Sequence, residues 1–295
     1  METVIVDNSA IDQWRLSQIP AGVLAQITNF HITPCNFQEL LLMTNNLSRE
    51  DRIKFLYSKA GSSILQDTDE LERREQSALL ASLAEIVIPD SELISAPSGY
   101  WYGEWAQIVS GAGKQIPTST INSLQQFKDG QRRQIIYFAA VLSEMGKIRK
   151  TATMSDFVRI QQSIKSYSEI QLKACIPVPT DKGILAWVDS NTEAWGTIAS
   201  YRYLIERGFT EAQVDAIDES KLKKTGCWLS NRYLIELARD FVAGQYREPE
   251  GGDAFDARQL VYLPYVKCFV TKDGYFIAKL RKILTKELSA KVITF

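Results

Sequence analysis

The sequence has few of the residues that build the commonest metal and redox sites. It contains one histidine, His31, and four cysteines, Cys35, Cys175, Cys227 and Cys268, none of which stands near another along the chain. Zinc clusters and redox dithiols need closely spaced Cys and His residues, so the sequence predicts neither. Scattered cysteines of this kind are typical of buried side chains in a reducing compartment.

The sequence also lacks an excess of charge and any long apolar run. Its 34 basic and 35 acidic residues give a formal net charge of -1, which excludes a strongly basic coat but allows a local basic strip. The opening METVIVDNSA carries an acid where a secretory signal has a basic flank. No apolar stretch approaches the length of a membrane span. We therefore expect a cytoplasmic protein without membrane contact.

The two ends of the chain differ in pattern from its middle. Apolar residues make up 45% of the 295 residues, enough for a substantial core. Short apolar strands are predicted at 3–6, 31–33, 265–271 and near the last residue, with helices between them. This pattern predicts the α/β class, with a parallel sheet flanked by helices and a large, mostly helical insertion. The predicted domains are 1–47 (first part of the core), 48–250 (helical insertion) and 251–295 (second part of the core).

Acidic residues stand where the predicted strands end or the next helices begin. Asp7 and Asp273 directly follow strands, Glu39 is expected in the first turn of a helix capped by Asn36, and Asp256 near the start of another. The carboxyl ends of parallel strands share one edge of a sheet, so these acids are expected to meet there. Each acid alone is explained by an ordinary cap or turn. Four together would repel unless a cation bound them, and Mg²⁺ or Mn²⁺ prefers such oxygens.

Three segments carry a resemblance to a known family. VIVDNSAI (4–11), ITPCNFQELLL (32–42) and DARQLVYLPYVKCFVTKD (256–273) together resemble the PIN-domain nucleases. That family has an acid after its first strand, a Glu in a helix after a proline-bearing second strand, a late Asp heading a helix and a Thr-x-Asp ending its fourth strand. The sequence departs from the family at Asn8-Ser9, where Thr-Asn is usual, and at Lys267, where many relatives have an acid.

The resemblance implies a function and a set of site residues. It implies a PIN-like fold and metal-dependent hydrolysis of phosphodiester bonds, with RNA rather than DNA as substrate and a role as a toxin or defence effector. The helical insertion suits docking of a protein partner. The resemblance assigns catalysis and metal binding to Asp7, Glu39, Asp256 and Asp273 and helper roles to Ser9, Asp253 and Thr271, while Arg281, Lys282 and Lys279 offer basic contacts for phosphates.

Three other functions fit the same residues. A PIN-like module without catalytic activity would act as a scaffold, and metal titration would separate it from an enzyme. A nuclease directed at DNA would use the same acids. Phosphoryl transfer through an aspartyl intermediate would use Asp7 as nucleophile, but such enzymes usually have a second acid two residues on, where Ser9 stands here.

Overall fold

The computed structural model describes residues 2–81, 86–96, 99–111, 116–148, 154–176, 182–245, 249–250 and 252–295. In chain order its elements are β1 (Val4–Val6), α1 (Asn8–Arg15), α2 (Ala21–Leu24), α3 (Pro34–Leu41), α4 (Asn46–Ala60), α5 (Thr68–Leu80), α6 (Asp90–Leu93), α7 (Tyr100–Val109), α8 (Thr118–Ile148), α9 (Met154–Ile164), α10 (Glu169–Cys175), α11 (Lys182–Glu206), α12 (Glu211–Asp215), α13 (Glu219–Leu222), α14 (Gly226–Val242), α15 (Gly252–Gln259), a 3-10 helix (Leu260–Tyr265), β2 (Cys268–Thr271), α16 (Gly274–Ile283), α17 (Lys286–Ser289) and β3 (Val292–Thr294).

The contacts between residues divide the chain into two compact units. The first unit comprises Met1–Gln125, Asp215–Ser230 and Arg258–Phe295, and the second comprises Gln126–Val214 and Asn231–Ala257. Residues 48–125, which the sequence analysis placed in the helical insertion, are thus grouped with the two ends of the chain. The break predicted around 250 touches residues 246–248 and 251, which lie outside the described part of the chain.

A small parallel sheet joins the two ends of the sequence within the first unit. The strand order is β1-β2-β3, so β2 is central, and β1 and β3 are both parallel to it. Val6 is opposite Val270, and the Asp7 N–H continues the pairing by donating to the Val270 carbonyl at 2.8 Å. The fold is therefore mostly helical with a three-stranded parallel sheet, in agreement with the predicted α/β class.

The strand predicted at 31–33 is wrong, because the chain turns into a helix there. Isolated bridges link Val4 with Phe30 and Ile32 with Ile64, and α3 begins directly at Pro34. Thr33 caps that helix: its hydroxyl accepts the Asn36 N–H at 3.0 Å, and the Asn36 side chain accepts the Thr33 N–H at 3.0 Å. Asn36, predicted to be the cap, is instead the third residue of the helix.

The strand predicted at 265–271 is shorter than expected. Tyr265 still belongs to the 3-10 helix, which contains Pro264, and pairing starts only at Cys268. Pro264 has no N–H for a helical hydrogen bond, which suits its position near the end of this short helix. The helix predicted after Asp273 ends at Ile283, and Thr285 caps the separate α17.

Strands β1 and β2 lie inside an apolar core, whereas β3 is partly exposed, and this burial explains why such short strands are stable. Val4, Ile5 and Val6 have no exposed surface, and Phe269 and Val270 on the central strand are almost equally buried. Strands buried on both faces read as continuous apolar runs, as here. Burial of such side chains contributes about 1.5–3 kcal/mol each, so packing rather than ladder length stabilises the sheet.

A fully buried glutamate fastens α5 to the later parts of the first unit. Glu75 Oε1 accepts the Gly226 N–H and the Tyr265 hydroxyl, each at 2.5 Å, and Oε2 accepts the Cys227 N–H at 2.9 Å. Burial raises the pKa of Glu75 to about 8, although these three donors and the start of α14 favour the carboxylate. The burial of Tyr265, together with the Glu75 charge, likewise raises the pKa of its phenol.

Beside Glu75, the backbone at Gly226 passes very close to the backbone at Val261. A Cβ atom on Gly226 would lie 2.2 Å from the Val261 carbonyl oxygen and 2.5 Å from its Cα, and backbone atoms cannot rotate away. We expect Gly226→Ala to lower the free energy of unfolding by about 3 kcal/mol or more. Urea denaturation measures it. Gly103→Ala is the control, because this helical glycine has open space around it and should gain up to about 1 kcal/mol.

The second unit is helical in the part that the structure describes and contains a buried ion pair. Arg232 Nη2 lies 2.7 Å from Glu236 Oε1 and 3.1 Å from the Thr192 hydroxyl, and both charged side chains are almost completely buried. Such a pair is costly to break because the remaining charge stays desolvated. Among the helices of the described residues, none combines the length and apolar character that a membrane span requires.

Candidate active site

The sheet brings Asp7 and Asp273 together around one threonine. Asp7 follows β1 and Asp273 follows β2, two neighbouring parallel strands. The Thr271 hydroxyl donates to Asp7 Oδ2 at 3.0 Å and accepts the Asp273 N–H at 3.1 Å. Two acids from opposite ends of the sequence therefore share a hydrogen-bonded threonine at one edge of the sheet. Thr271, predicted as a helper, is the residue that connects them.

Ser9 and Lys272 complete the immediate surroundings of Asp7. The Ser9 hydroxyl donates to Asp7 Oδ2 at 2.5 Å and accepts the Lys272 N–H at 3.2 Å. The Lys272 side chain is exposed and donates to the Gln13 side chain at 2.8 Å. Ser9 was predicted from the sequence but Lys272 was not, although the position of Lys272 as the middle residue of Thr-x-Asp was a usable signal.

Burial makes Asp7 an unfavourable place for a negative charge. Its side chain is 5% exposed, and this burial raises its pKa above the ordinary value for aspartate. The hydroxyls of Ser9 and Thr271 and the Asn8 N–H oppose the shift, and the negative charge of Asp273 adds to it. A nearby cation would relieve both the burial and the repulsion, because it favours the ionised carboxylates.

Asn36 holds the loop that carries Asp7. Its side-chain amide donates to the Val6 carbonyl and to the Asn8 side chain, at 3.1 Å in each case. Asn36 has no exposed surface, and it also closes the capping box with Thr33. The start of α3 is thus fixed to the end of β1, a positioning role that no sequence signal distinguished from simple capping.

Glu39 stands one turn further along α3 than predicted. Because the helix begins at Pro34, Glu39 is its sixth residue, and the prediction of a first-turn position was wrong. The shift follows from the Thr33 cap described above. Glu39 is partly exposed, on the helix whose start Asn36 anchors to the end of β1.

The remaining predicted acids, Asp253 and Asp256, lie on α15 in the second unit. Asp256 is the fifth residue of that helix rather than a first-turn residue, because the helix starts at Gly252. Its carboxylate lies 3.5 Å from the Tyr233 hydroxyl, at the outer limit of a hydrogen bond. Asp253 accepts the Glu250 N–H at 2.8 Å, as expected of an acid at the start of a helix.

The three predicted phosphate-binding cations have different surroundings. Arg281 and Lys282 are exposed in the last turn of α16, whose first turn follows Asp273. At 1.5 Å per residue they lie about 12 Å along the helix from its start. Lys279 is 3% exposed, and its ammonium lies 4.6 Å from the centre of the Tyr275 ring. Lys279 is therefore not on the surface that an approaching strand would meet.

Neither a preformed metal cluster nor a known relative identifies the site. In the ranges that the structure covers, no group of three or more His, Cys, Asp or Glu side chains is arranged to hold an ion. No protein-family model, no curated protein and no solved structure matches this chain significantly. The resemblance to PIN-domain nucleases therefore rests on the three sequence segments alone.

Proposed function

We propose that the chain is a metal-dependent endoribonuclease whose centre is the Asp7–Asp273 pair. The observation that supports this is the shared Thr271 hydroxyl, which donates to the Asp7 carboxylate and accepts the backbone N–H of Asp273 where two parallel strands end. In open parallel sheets, sites form at the carboxyl ends of the strands. The Asp273 side chain also caps α16 by accepting the Phe276 N–H at 2.9 Å. Asp7 makes no such side-chain cap on α1, so capping does not explain a buried carboxylate with a raised pKa there.

The donor atoms at this edge suit a hard divalent cation. Asp7 and Asp273 offer carboxylate oxygens, and Ser9 and Thr271 offer hydroxyl oxygens, with no sulfur or imidazole among these four. Mg²⁺ and Mn²⁺ prefer such ligands together with water. When bound, the ion would lower the pKa of a water molecule and neutralise charge on the phosphate. The resemblance also predicts Glu39 as a ligand, whereas Asp256, which it predicts as well, belongs to the second unit.

The residues of the chain itself would orient the substrate. Ser9 and Thr271 hold the Asp7 carboxylate in one orientation, and Asn36 fixes the backbone before it. Lys272 is exposed beside the pair and suits a phosphate next to the scissile bond. Arg281 and Lys282, about 12 Å further along α16, suit a more distant phosphate of the same strand.

A cleavage assay with a metal requirement tests the proposal. The purified chain is incubated with labelled single-stranded RNA, tRNA and single-stranded DNA, with Mn²⁺ or with chelator. We expect Mn²⁺-dependent cleavage of RNA, its loss with chelator, and slower or no cleavage of DNA. Thermal unfolding with Mn²⁺ should also show stabilisation, about 2.7 kcal/mol at a hundredfold excess over Kd.

The same two measurements decide between the alternatives. Cleavage of DNA alone would replace the RNA assignment with a DNA-directed nuclease. Absence of both cleavage and Mn²⁺-dependent stabilisation would favour the scaffold. One observation supports the scaffold. Asp7 Oδ2 already accepts two hydroxyl donors, an arrangement that satisfies the carboxylate without an ion.

A further inference from the structure

The second unit contains a cavity that the proposed nuclease centre does not use. Its volume is about 320 Å³, and its lining residues all belong to that unit, on helices α8, α9, α10, α11 and α14 and the turn after α9. This volume is at the lower end of the range for small-molecule sites, so it suits one compact ligand rather than a peptide or a dinucleotide.

Two residues that line the cavity each have a buried polar atom without a hydrogen-bond partner among the described residues. These atoms are the indole Nε1 of Trp195 and the side-chain oxygen of Gln161. The two side chains are only 6% and 5% exposed. Leaving a buried donor or acceptor unpaired is unfavourable, so such atoms are rare unless something else pairs with them. A ligand that accepts from the indole and donates to the amide would remove this cost.

Aromatic side chains form much of the remaining wall. Phe157 packs against Trp195 with ring centres 4.9 Å apart, and Tyr137 and Phe138 line the cavity from helix α8. Faces of this kind favour a planar ring. A planar heterocycle with donors and acceptors on its edge, such as a nucleobase, meets both the aromatic wall and the unpaired polar atoms.

The lining also carries an excess of positive charge. It includes Arg133, Lys165 and Arg202, against a single acid, Glu206, which lies 3.2 Å from the Arg202 side chain. Arg133 donates to the Tyr167 carbonyl at 2.8 Å, which fixes its guanidinium at the cavity. Guanidinium and ammonium groups placed together in this way suit a phosphate.

We propose that this cavity binds a nucleoside monophosphate, with its base against Trp195 and Gln161 and its phosphate at Arg133, Lys165 and Arg202. The proposal does not depend on the nuclease activity, because it uses only residues of the second unit. It assigns the helical unit a ligand-sensing role that is separate from the sheet edge of the first unit.

Binding of the four ribonucleoside 5′-monophosphates to the whole chain tests the proposal. Calorimetry in chelator, without divalent metal, excludes the candidate active site. We expect saturable binding of at least one nucleotide, at least about tenfold tighter than its nucleoside or inorganic phosphate, since a charged hydrogen bond contributes about 1.5–3 kcal/mol. No saturable binding at millimolar concentration, or phosphate binding as tightly as the nucleotide, would overturn the proposal.

Variants locate the ligand. Arg133→Gln and Trp195→Phe should each weaken binding on the order of tenfold, the first by removing a phosphate contact and the second by removing the indole donor. Arg133 is exposed, so its replacement leaves the packing intact. Arg159→Gln is the matched control, because Arg159 is an exposed arginine of the same unit outside the cavity lining. Unchanged affinity in folded Arg133→Gln and Trp195→Phe would rule out this cavity.

Discussion

Replacing Asp7 or Asp273 with asparagine is expected to lower the Mn²⁺-dependent cleavage rate at least about a hundredfold. Either change removes a carboxylate from the strand-end pair that the Thr271 hydroxyl connects. Ion-mediated stabilisation of a phosphoryl transition state amounts to several kcal/mol, and each 1.36 kcal/mol is tenfold in rate. Initial rates on labelled RNA measure the loss, with the wild-type chain beside each variant.

Comparing the folding stability of Asp7→Asn with that of the wild type shows whether the Asp7 carboxylate serves function or structure. Burial raises the pKa of Asp7, so the ionised side chain destabilises the fold at neutral pH. An asparagine side chain has nearly the same shape without the charge, and we expect the variant to have an unfolding temperature equal to or above that of the wild type. Residues that are kept at a cost in stability are typical of functional sites.

Asp51→Asn is a suitable control for both measurements. Asp51 is an exposed acid of the same unit that pairs with Arg15 on the surface. We expect normal cleavage and nearly normal stability, since exposed pairs contribute about 0–1 kcal/mol. Full activity in folded Asp7→Asn or Asp273→Asn would count heavily against the assignment. A marked fall in the stability of Asp7→Asn would mean that the carboxylate is structural.

Glu75→Ala should have the largest effect on stability. The change leaves three donors, the N–H groups of Gly226 and Cys227 and the Tyr265 hydroxyl, buried without their acceptor. At about 1–3 kcal/mol for each unpaired group, the loss is on the order of 5 kcal/mol, which is comparable with the whole stability of many domains. Urea denaturation measures it. Tyr265→Phe is the graded comparison, because it removes one donor and leaves the carboxylate in place.

The same glutamate predicts a dependence of stability on pH. The pKa of Glu75 is about 8 in the folded chain and 4.5 as the ordinary value, so between these pH values the folded state binds more protons than the unfolded state. Stability should therefore be greatest below about pH 4.5 as far as this group is concerned, and should fall as the pH rises towards 8. The stability that this group loses between about pH 4.5 and pH 8 amounts to a few kcal/mol.

The glutamine variant isolates this contribution from other titrating groups. Glu75→Gln cannot ionise, and its oxygen can still accept from Gly226 and Tyr265, although the Cys227 N–H then faces an amide. We expect the stability difference between wild type and variant to change between about pH 5 and about pH 8.5, with the wild type losing stability relative to Glu75→Gln. A constant difference across this range would show that Glu75 keeps one protonation state.

The local sequence pattern was sufficient to predict the sheet but not all of the site. The apolar runs before Asp7 and Asp273 are buried strands, and the rule that parallel strands share one edge predicted that these acids would meet. Capping was harder to predict. Thr33 and Asn36 are both good caps, and only the backbone shows that Thr33 begins the helix, which moved Glu39 into the second turn.

Long-range contacts account for the rest of what the sequence could not show. Glu75 resembles any acid on a charged amphipathic helix, yet its partners Gly226 and Tyr265 are 151 and 190 positions away. The unpaired atoms of Gln161 and Trp195 likewise depend on how several helices pack. Periodicity reports which face of a helix is buried, but not which polar atoms meet there.

The position of β2 in the middle of the sheet affects how the chain folds during synthesis. β1 pairs with β2, and the residues at their ends, Asp7 and Thr271, are 264 positions apart. At about 5–20 residues per second, β1 leaves the ribosome roughly 10–50 seconds before that partner is made. During this interval β1 is an apolar segment without a strand partner, so it can bind chaperones or aggregate. Asp7 and Asp273 can meet beside Thr271 only once β2 has been made, so the proposed centre cannot form before then.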